Sequence, residues 1–244
     1  MLTTLSVAVA ALGGTALGLP NPTATDDTPV RILPQFWEFN ITSLSGPGCP
    51  DFGLTDRGPF VTRPTFGLNT VDGSEIYYWH FAYPSLRTSI EPGTPSASIW
   101  CETTLSYAEL DSNMVPVAKP GYHLKLHKNG TAMLASYELD DGVEAKWTFT
   151  YFPEGKREVV DTIIIDGPRS GNSYRDISPV NGLVQWPLPN CGLGTIRYRT
   201  QLTLTAKKDG ARGSVSSEKV EYKDQAGWYG VQQGVSYDWE QCSS

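Results

Sequence analysis

Apolar and polar positions alternate with a period of two along much of the chain beyond about residue 35. From Ile196 to Ala206, the residues Ile196, Tyr198, Leu202, Leu204 and Ala206 fall on one side with Thr200 among them. Arg197, Arg199, Gln201, Thr203 and Thr205 fall on the other. Successive side chains of a strand point to opposite faces, so this pattern predicts a strand with one dry and one wet side. Trp147, Phe149 and Tyr151 alternate in the same way with Lys146, Thr148 and Thr150. Tyr122, Leu124 and Leu126 alternate with His123, Lys125 and His127. The β-branched run from Val159 to Ile165 predicts a central strand. No stretch beyond the first twenty residues keeps a helical period.

The punctuation between these runs suits hairpins. Asp-Gly occurs at 72–73, 141–142, 166–167 and 209–210, and Asn-Gly at 129–130 and 181–182. These pairs tolerate the positive φ that tight hairpin turns need. Together the strands and turns predict an all-β fold, an antiparallel β-sandwich stapled by two disulfides, with a closed β-barrel as the alternative. No internal repeat or linker divides residues 35–244, which are expected to form a single β-sandwich domain.

The amino-terminal end has a different character. An apolar segment from Leu5 to Leu17 is too short to span a bilayer, and Ala16 and Gly18 supply the small residues of a cleavage site. Residues 1–18 are therefore expected to be a signal peptide, and residues 19–34 a flexible leader. No second apolar stretch reaches membrane-spanning length, and the polar Gln241-Cys242-Ser243-Ser244 ending lacks the tail of a lipid anchor. A secreted, extracellular product with no membrane association follows.

Charge narrows the partners. The net charge is −7 and the pI about 5.0, with no basic run interleaved with aromatics. Phosphate backbones require clustered Lys and Arg, so no nucleic acid partner is expected. Two sequons, Asn40-Ile41-Thr42 and Asn129-Gly130-Thr131, are candidate glycosylation sites, the second in a predicted turn.

Candidate chemistry is sparse. The cysteines Cys49, Cys101, Cys191 and Cys242 are far apart and form no close pair of the kind that binds zinc. In an oxidising compartment they predict structural disulfides and no metal site. On a strand, His123 and His127 would share a face roughly 13 Å apart, too far for one metal. His80 sits among aromatics in Tyr77-Tyr78-Trp79-His80-Phe81. There is no G-x-S-x-G elbow and no HExxH; Gly171-Asn172-Ser173-Tyr174-Arg175 lacks the second glycine. Paired carboxylates of a glycosidase could come from Glu138, Asp140 and Asp141, or from Asp161 with Asp166, although the first set reads as a turn and the second flanks a buried strand. No catalytic residues and no cofactor are assigned.

Aromatic residues are the strongest binding signal, with seven Trp and twelve Tyr. Trp79 and Trp147 fit a core between sheets. Trp228 and Tyr229, in the Gly-flanked segment Gln225-Ala226-Gly227-Trp228-Tyr229-Gly230, are the candidate ligand-facing pair.

Several short pieces are shared with a known family. They are Ser45-Gly46-Pro47-Gly48-Cys49-Pro50, Ser89-Ile90-Glu91-Pro92-Gly93-Thr94-Pro95, Trp186-Pro187-Leu188-Pro189-Asn190-Cys191-Gly192, the strand Tyr198 to Thr205, and Trp239-Glu240-Gln241-Cys242. In this order and spacing the chain resembles the secreted four-cysteine family of filamentous fungi called domain of unknown function 4360. Two departures stand out: one extra residue in Cys49-Pro50-Asp51-Phe52-Gly53, and Glu91 where that family carries an apolar residue or Gly. The resemblance implies a secreted, disulfide-bonded β protein and carries over no catalytic residue.

Three disulfide connectivities are possible. Cys49–Cys101 with Cys191–Cys242 is preferred, because each bridge would staple one half of the domain, at about 4 kcal/mol per loop in the chain-entropy picture. The expected function is that of a secreted non-catalytic protein acting by surface recognition of a cell-wall polysaccharide or an extracellular protein. The alternatives are a secreted carbohydrate-active or other hydrolytic enzyme, and a structural wall or matrix component.

Overall fold

The computed structural model describes residues 34, 36–51, 53–54, 58–65, 77–153, 158–178 and 186–242, with the backbone alone at 77–79, 127–129 and 186–189. The expected signal peptide, most of the leader and the pairs Asp72-Gly73 and Asn181-Gly182 lie outside these residues.

Among the described residues fifteen strands run in order: β1 (Phe36–Ser45), β2 (Arg63–Thr65), β3 (Tyr77–Tyr83), β4 (Thr88–Ile90), β5 (Ser96–Leu110), β6 (Tyr122–Leu139), β7 (Val143–Tyr151), β8 (Val159–Asp166), β9 (Arg169–Ile177), β10 (Trp186–Cys191), β11 (Leu193–Ala206), β12 (Gly213–Ser216), β13 (Lys219–Tyr222), β14 (Gln225–Trp228) and β15 (Val231–Gln241). A 3-10 turn at Gly58–Phe60 is the one helical element among the described residues. A five-stranded sheet has the order β1-β5-β11-β7-β8. The larger sheet has the order β2-β3-β15-β6-β12-β4, with β9 and β10 also paired to β6, and β13 and β14 form a separate hairpin. Both main sheets are open and antiparallel, and they face each other as a β-sandwich rather than closing into a barrel.

The period-two runs become the inward and outward faces. On β11, Ile196, Tyr198, Thr200, Leu202 and Leu204 are buried while Arg197 is exposed and Arg199, Gln201, Thr203 and Thr205 are half-buried. On β7, Val143, Ala145, Trp147, Phe149 and Tyr151 all point inward. From the larger sheet, Phe81, Tyr83, Leu124, Leu126, Met133, Tyr137, Val231, Val235, Tyr237 and Trp239 complete one core. Burying rings of this size removes 150–250 Å² each from water, the main driving force of such a core.

Polar rivets cross this core. Trp147 Nε1 donates to Tyr137 Oη at 3.0 Å, Tyr83 and Tyr198 hydroxyls meet at 3.0 Å, and the Thr131 and Tyr151 hydroxyls at 2.9 Å. Thr200 donates to Gln233 Oε1 at 2.5 Å. Each joins one sheet to the other, so hydroxyls that could not reach water are satisfied across the gap. Burial pushes the Tyr83 hydroxyl up to about 12, and it stays neutral.

The disulfides join Cys49 to Cys101 and Cys191 to Cys242, with Cα separations of 5.5 and 6.2 Å. The first ties the chain leaving β1 to β5; the second ties β10 to the residue after β15.

Two expectations fail locally. The run from Val159 is not a central strand. As β8 it pairs only β7 and forms an edge of the five-stranded sheet, with Val160 and Ile164 each 55 % exposed. β-Branched composition signals a strand, not its position in the sheet. Asn129-Gly130 is not a hairpin turn. It lies within β6, where the register against β15 slips between Val235 and Tyr237, and Gly130 adopts φ 77° with its carbonyl accepting from Ser236 Oγ at 2.8 Å. Positive φ is needed there for a bulge instead. By contrast, Asp141-Gly142 does turn β6 into β7, with Gly142 at φ 85° and Val143 N–H donating to Asp140 O at 3.1 Å.

Candidate functional site

A groove opens at the edge of the larger sheet where β4, β12, β6 and β9 come together. Glu138 and Asp140 reach it from the end of β6, Ser170 from β9, Glu91 from the residue after β4, and Arg212 and Ser214 from the start of β12. β12 bridges β4 and β6 in register, Ser214 opposite Ser89 on one side and Glu138 on the other, and this pairing brings the distant segments together. The groove has a volume of about 250 Å³. That is just under the ~300 Å³ at which sites begin to enclose a drug-sized ligand.

Hydrogen bonds set the lining. Ser170 Oγ donates to Glu138 Oε2 at 2.6 Å, and Arg212 N–H donates to Asp140 Oδ2 at 2.9 Å. Arg212 Nε stands 3.8 Å from Glu91 Oε2, with both side chains largely exposed. Three carboxylates, a guanidinium and hydroxyls thus face one concavity. Each carboxylate keeps lone pairs for outside donors, and the guanidinium keeps N–H groups for outside acceptors. A ligand dense in hydroxyls, each both donor and acceptor, fits this lining.

The carboxylates singled out in the sequence separate in space. Glu138 and Asp140 share the groove. Asp141 turns away and pairs with Lys208. Asp161 and Asp166 do not form a pair. Asp161 is 4 % exposed and accepts from Ser178 Oγ at 2.5 Å and from its neighbour's N–H, Thr162, at 2.8 Å. Asp166 is exposed and pairs with Lys207 at 2.9 Å. An odd spacing on one strand puts them on opposite faces. Burial raises the Asp161 carboxyl above its ordinary value, against the pull of its hydrogen bonds. Glu91, Ser170 and Arg212 were not foreseen as groove residues. The only sequence signal was Glu91 standing where the resembled family carries an apolar residue or Gly.

Trp228 and Tyr229 are half-buried rather than open. On the β13–β14 hairpin, Lys219 is directly opposite Trp228 and Val220 opposite Gly227. The Gly227 face lies against Phe60, so close that a Cβ there would meet the ring at 2.6 Å. Trp228 belongs to the other face, with the Lys219 ammonium 4.9 Å and the Arg87 guanidinium 5.1 Å from its ring centroid. Tyr229 is covered by the Arg63 guanidinium at 4.5 Å, itself donating to the Val61 and Tyr229 carbonyls at 3.1 Å. The cavity beside Tyr229 is about 10 Å³, water-sized.

The remaining candidates fall as follows. Trp147 is fully buried in the core, and the side chains of Trp79, His127 and Asn129 lie outside the description. His123 has a ring nitrogen within 4.8 Å of the Cys191 and Cys242 sulfurs, but those sulfurs are bonded to each other and are not thiolate ligands. Burial, with Arg175 adding to it, lowers His80 to about 4. Asn40 is exposed on β1, and Thr42 of its sequon donates to Thr104 O at 3.2 Å.

No family model matches the chain, and no curated protein does. Among solved structures it is similar to the carbohydrate-binding module TmCBM61 in complex with β-1,4-galactotriose, at 9 % identity and a TM-score of 0.20 over 84 % of this chain and 88 % of that one. It is also similar to the enzymatically active domain of bacteriophage CBA120 tailspike protein 4, at 10 % identity and a TM-score of 0.19. That match covers 82 % of this chain and 19 % of the tailspike chain.

Proposed function

We propose that this is a secreted, non-catalytic protein that recognises a cell-wall polysaccharide through the groove between β4, β12, β6 and β9. The observation that carries the reading is the lining itself: Glu91, Glu138, Asp140, Ser170 and Arg212 converge on one shallow concavity whose apolar residues, Ile90 and Leu139, are themselves buried. Such a surface exchanges its water hydrogen bonds for those of sugar hydroxyls at little cost. Secretion is supported by two disulfides, which persist in oxidising compartments, and by the resemblance to the fungal domain of unknown function 4360. Among the described residues no helix is long and apolar enough to cross a membrane.

The test is retention on insoluble chitin, β-glucan and cellulose. At least one should hold the native protein, and Arg212→Gln or Glu138→Gln should weaken that hold. Retention on none of them would refute the reading.

A second reading has a specific observation behind it. Several carboxylates in one groove are also what a glycoside hydrolase needs. Release of new reducing ends by the native protein, abolished in Glu138→Gln, would favour hydrolysis over recognition.

A further inference from the structure

We propose that the outer face of the β13–β14 hairpin is a second contact surface, one that binds the carboxylates of an acidic polysaccharide. The inference rests on the polysaccharide reading and adds to it a separate site and a charge class.

Cations elsewhere on the surface commonly carry acidic partners. Lys125 pairs with Glu240, Arg169 with Asp176, Arg199 with Glu102, Lys207 with Glu144 and Asp166, and Arg212 with Glu91. Around the hairpin the pattern changes. Arg87 and Lys219 lie over the Trp228 ring, and Lys223 lies at 5.3 Å over Tyr222, whose ring belongs to the other face of the hairpin against Gly58. Among the described residues none of these three forms an ion pair. Arg169, Arg197 and Arg199 also lie over rings, but each of them pairs with a carboxylate as well, which Arg87, Lys219 and Lys223 do not.

Convergence on one ring makes the arrangement a receptor. The ring attracts each cation through its quadrupole, but two cations drawn to the same ring repel each other. Their distances from the centroid of Trp228 put them within about 10 Å of each other. An anion that contacts both cations offsets the repulsion. A cation held over a ring also keeps its N–H donors for another acceptor. The Arg87 fork matches a carboxylate bidentately, and Lys219 adds a point charge.

The opposite hairpin face packs on Phe60 at Gly227, whereas the Trp228 face presents exposed Lys219 and Glu221. Glu221 is the acidic residue of that open face, and it makes no ion pair with Lys219 two residues away. A polymer of uronic acids, with a carboxylate on every ring, is the polysaccharide class whose charge complements this face.

The probe is polygalacturonate, compared with the same polymer fully methyl-esterified, by affinity electrophoresis of the full secreted chain at low and moderate ionic strength. The native protein should be retarded by the acid form, at least roughly tenfold less by the ester, and progressively less as salt rises. Arg87→Gln/Lys219→Gln should lose the retardation by roughly tenfold while melting at the native temperature. Arg212→Gln in the groove should keep it. Equal retardation by acid and ester, no retardation at low salt, an unchanged double variant, or binding to anionic lipid vesicles in place of the polymer would each overturn the proposal. Loss of neutral-polymer retention in groove variants alone would leave this site standing, and loss of polyuronate binding alone would leave the groove standing.

Discussion

Tyr137→Phe removes one end of a hydrogen bond that crosses the sandwich. Tyr137 and Trp147 are both fully buried, and the indole N–H donates to the Tyr137 hydroxyl at 3.0 Å. Indole has one donor and no acceptor, so removing the hydroxyl leaves the N–H with no route to water. A buried donor orphaned this way costs about 1–3 kcal/mol. The hydroxyl also faces Asp176, a contact the substitution removes as well. The volume change is small, which leaves the cavity contribution small too. A loss of about 2 kcal/mol is expected, a fall in Tm of roughly 4–8 °C for a domain of this size. Tyr174→Phe is the matched control. Its hydroxyl donates to Ser170 O at 3.0 Å, but the residue is 37 % exposed and water can replace the bond. That variant should lose less than about 0.5 kcal/mol. Urea unfolding followed by tryptophan fluorescence measures both, with equal m-values confirming an unchanged transition. Equal losses in the two variants, or a Tyr137→Phe loss below about 0.5 kcal/mol, would refute the view that polar rivets are net contributors to the core.

The acid side of the stability curve should hold two opposing contributions. Burial lowers His80 to about 4 from 6.5, so its contribution is full above pH 6.5 and is lost as pH falls toward 4; stability curves of His80→Gln should lack this loss, up to about 3 kcal/mol. Asp161 has its carboxyl raised by burial, so its contribution is full below the ordinary value of 3.8 and fades as pH rises through the folded value. Native protein should therefore gain on Asp161→Asn as the medium is acidified, and a constant difference between the two would contradict the assignment. Cys101→Ser, opening a bridge with a sequence separation of 52, should cost about 4 kcal/mol in denaturant titration, and a cost below about 1 kcal/mol would mean the bridge constrains little.

The parts of the fold that were legible in the sequence share a cause. β7 and β11 sit between two neighbours with one face buried, so apolar and polar residues alternate strictly and the strands are read directly. Asp141-Gly142 is a local turn with local chemistry. The disulfide partners are joined as the spacing of the cysteines into two halves suggested. The edge position of β8 was hidden, because Val160 and Ile164 point outward although their composition is that of a core. The bulge at Asn129-Gly130 was hidden because a positive φ serves a bulge as well as a turn. The groove was only half visible. Glu138 and Asp140 are neighbours in sequence, whereas Glu91, Ser170 and Arg212 join them through the pairing of β12 with β4 and of β9 with β6. Trp228 and Tyr229 looked open in a Gly-flanked segment, and only tertiary contacts place Lys219, Arg87 and Arg63 over their rings.

Recognition without turnover at the groove is most directly tested by titrating the native protein and Glu138→Gln with a soluble oligosaccharide of whichever polymer retains the native chain, while following reducing ends in the same samples. The account predicts saturable binding by the native protein, at least roughly tenfold weaker in Glu138→Gln, with no new reducing ends. Equal affinity of the two proteins would place the ligand elsewhere, and reducing ends that rise with time in the native sample alone would make the groove an active site.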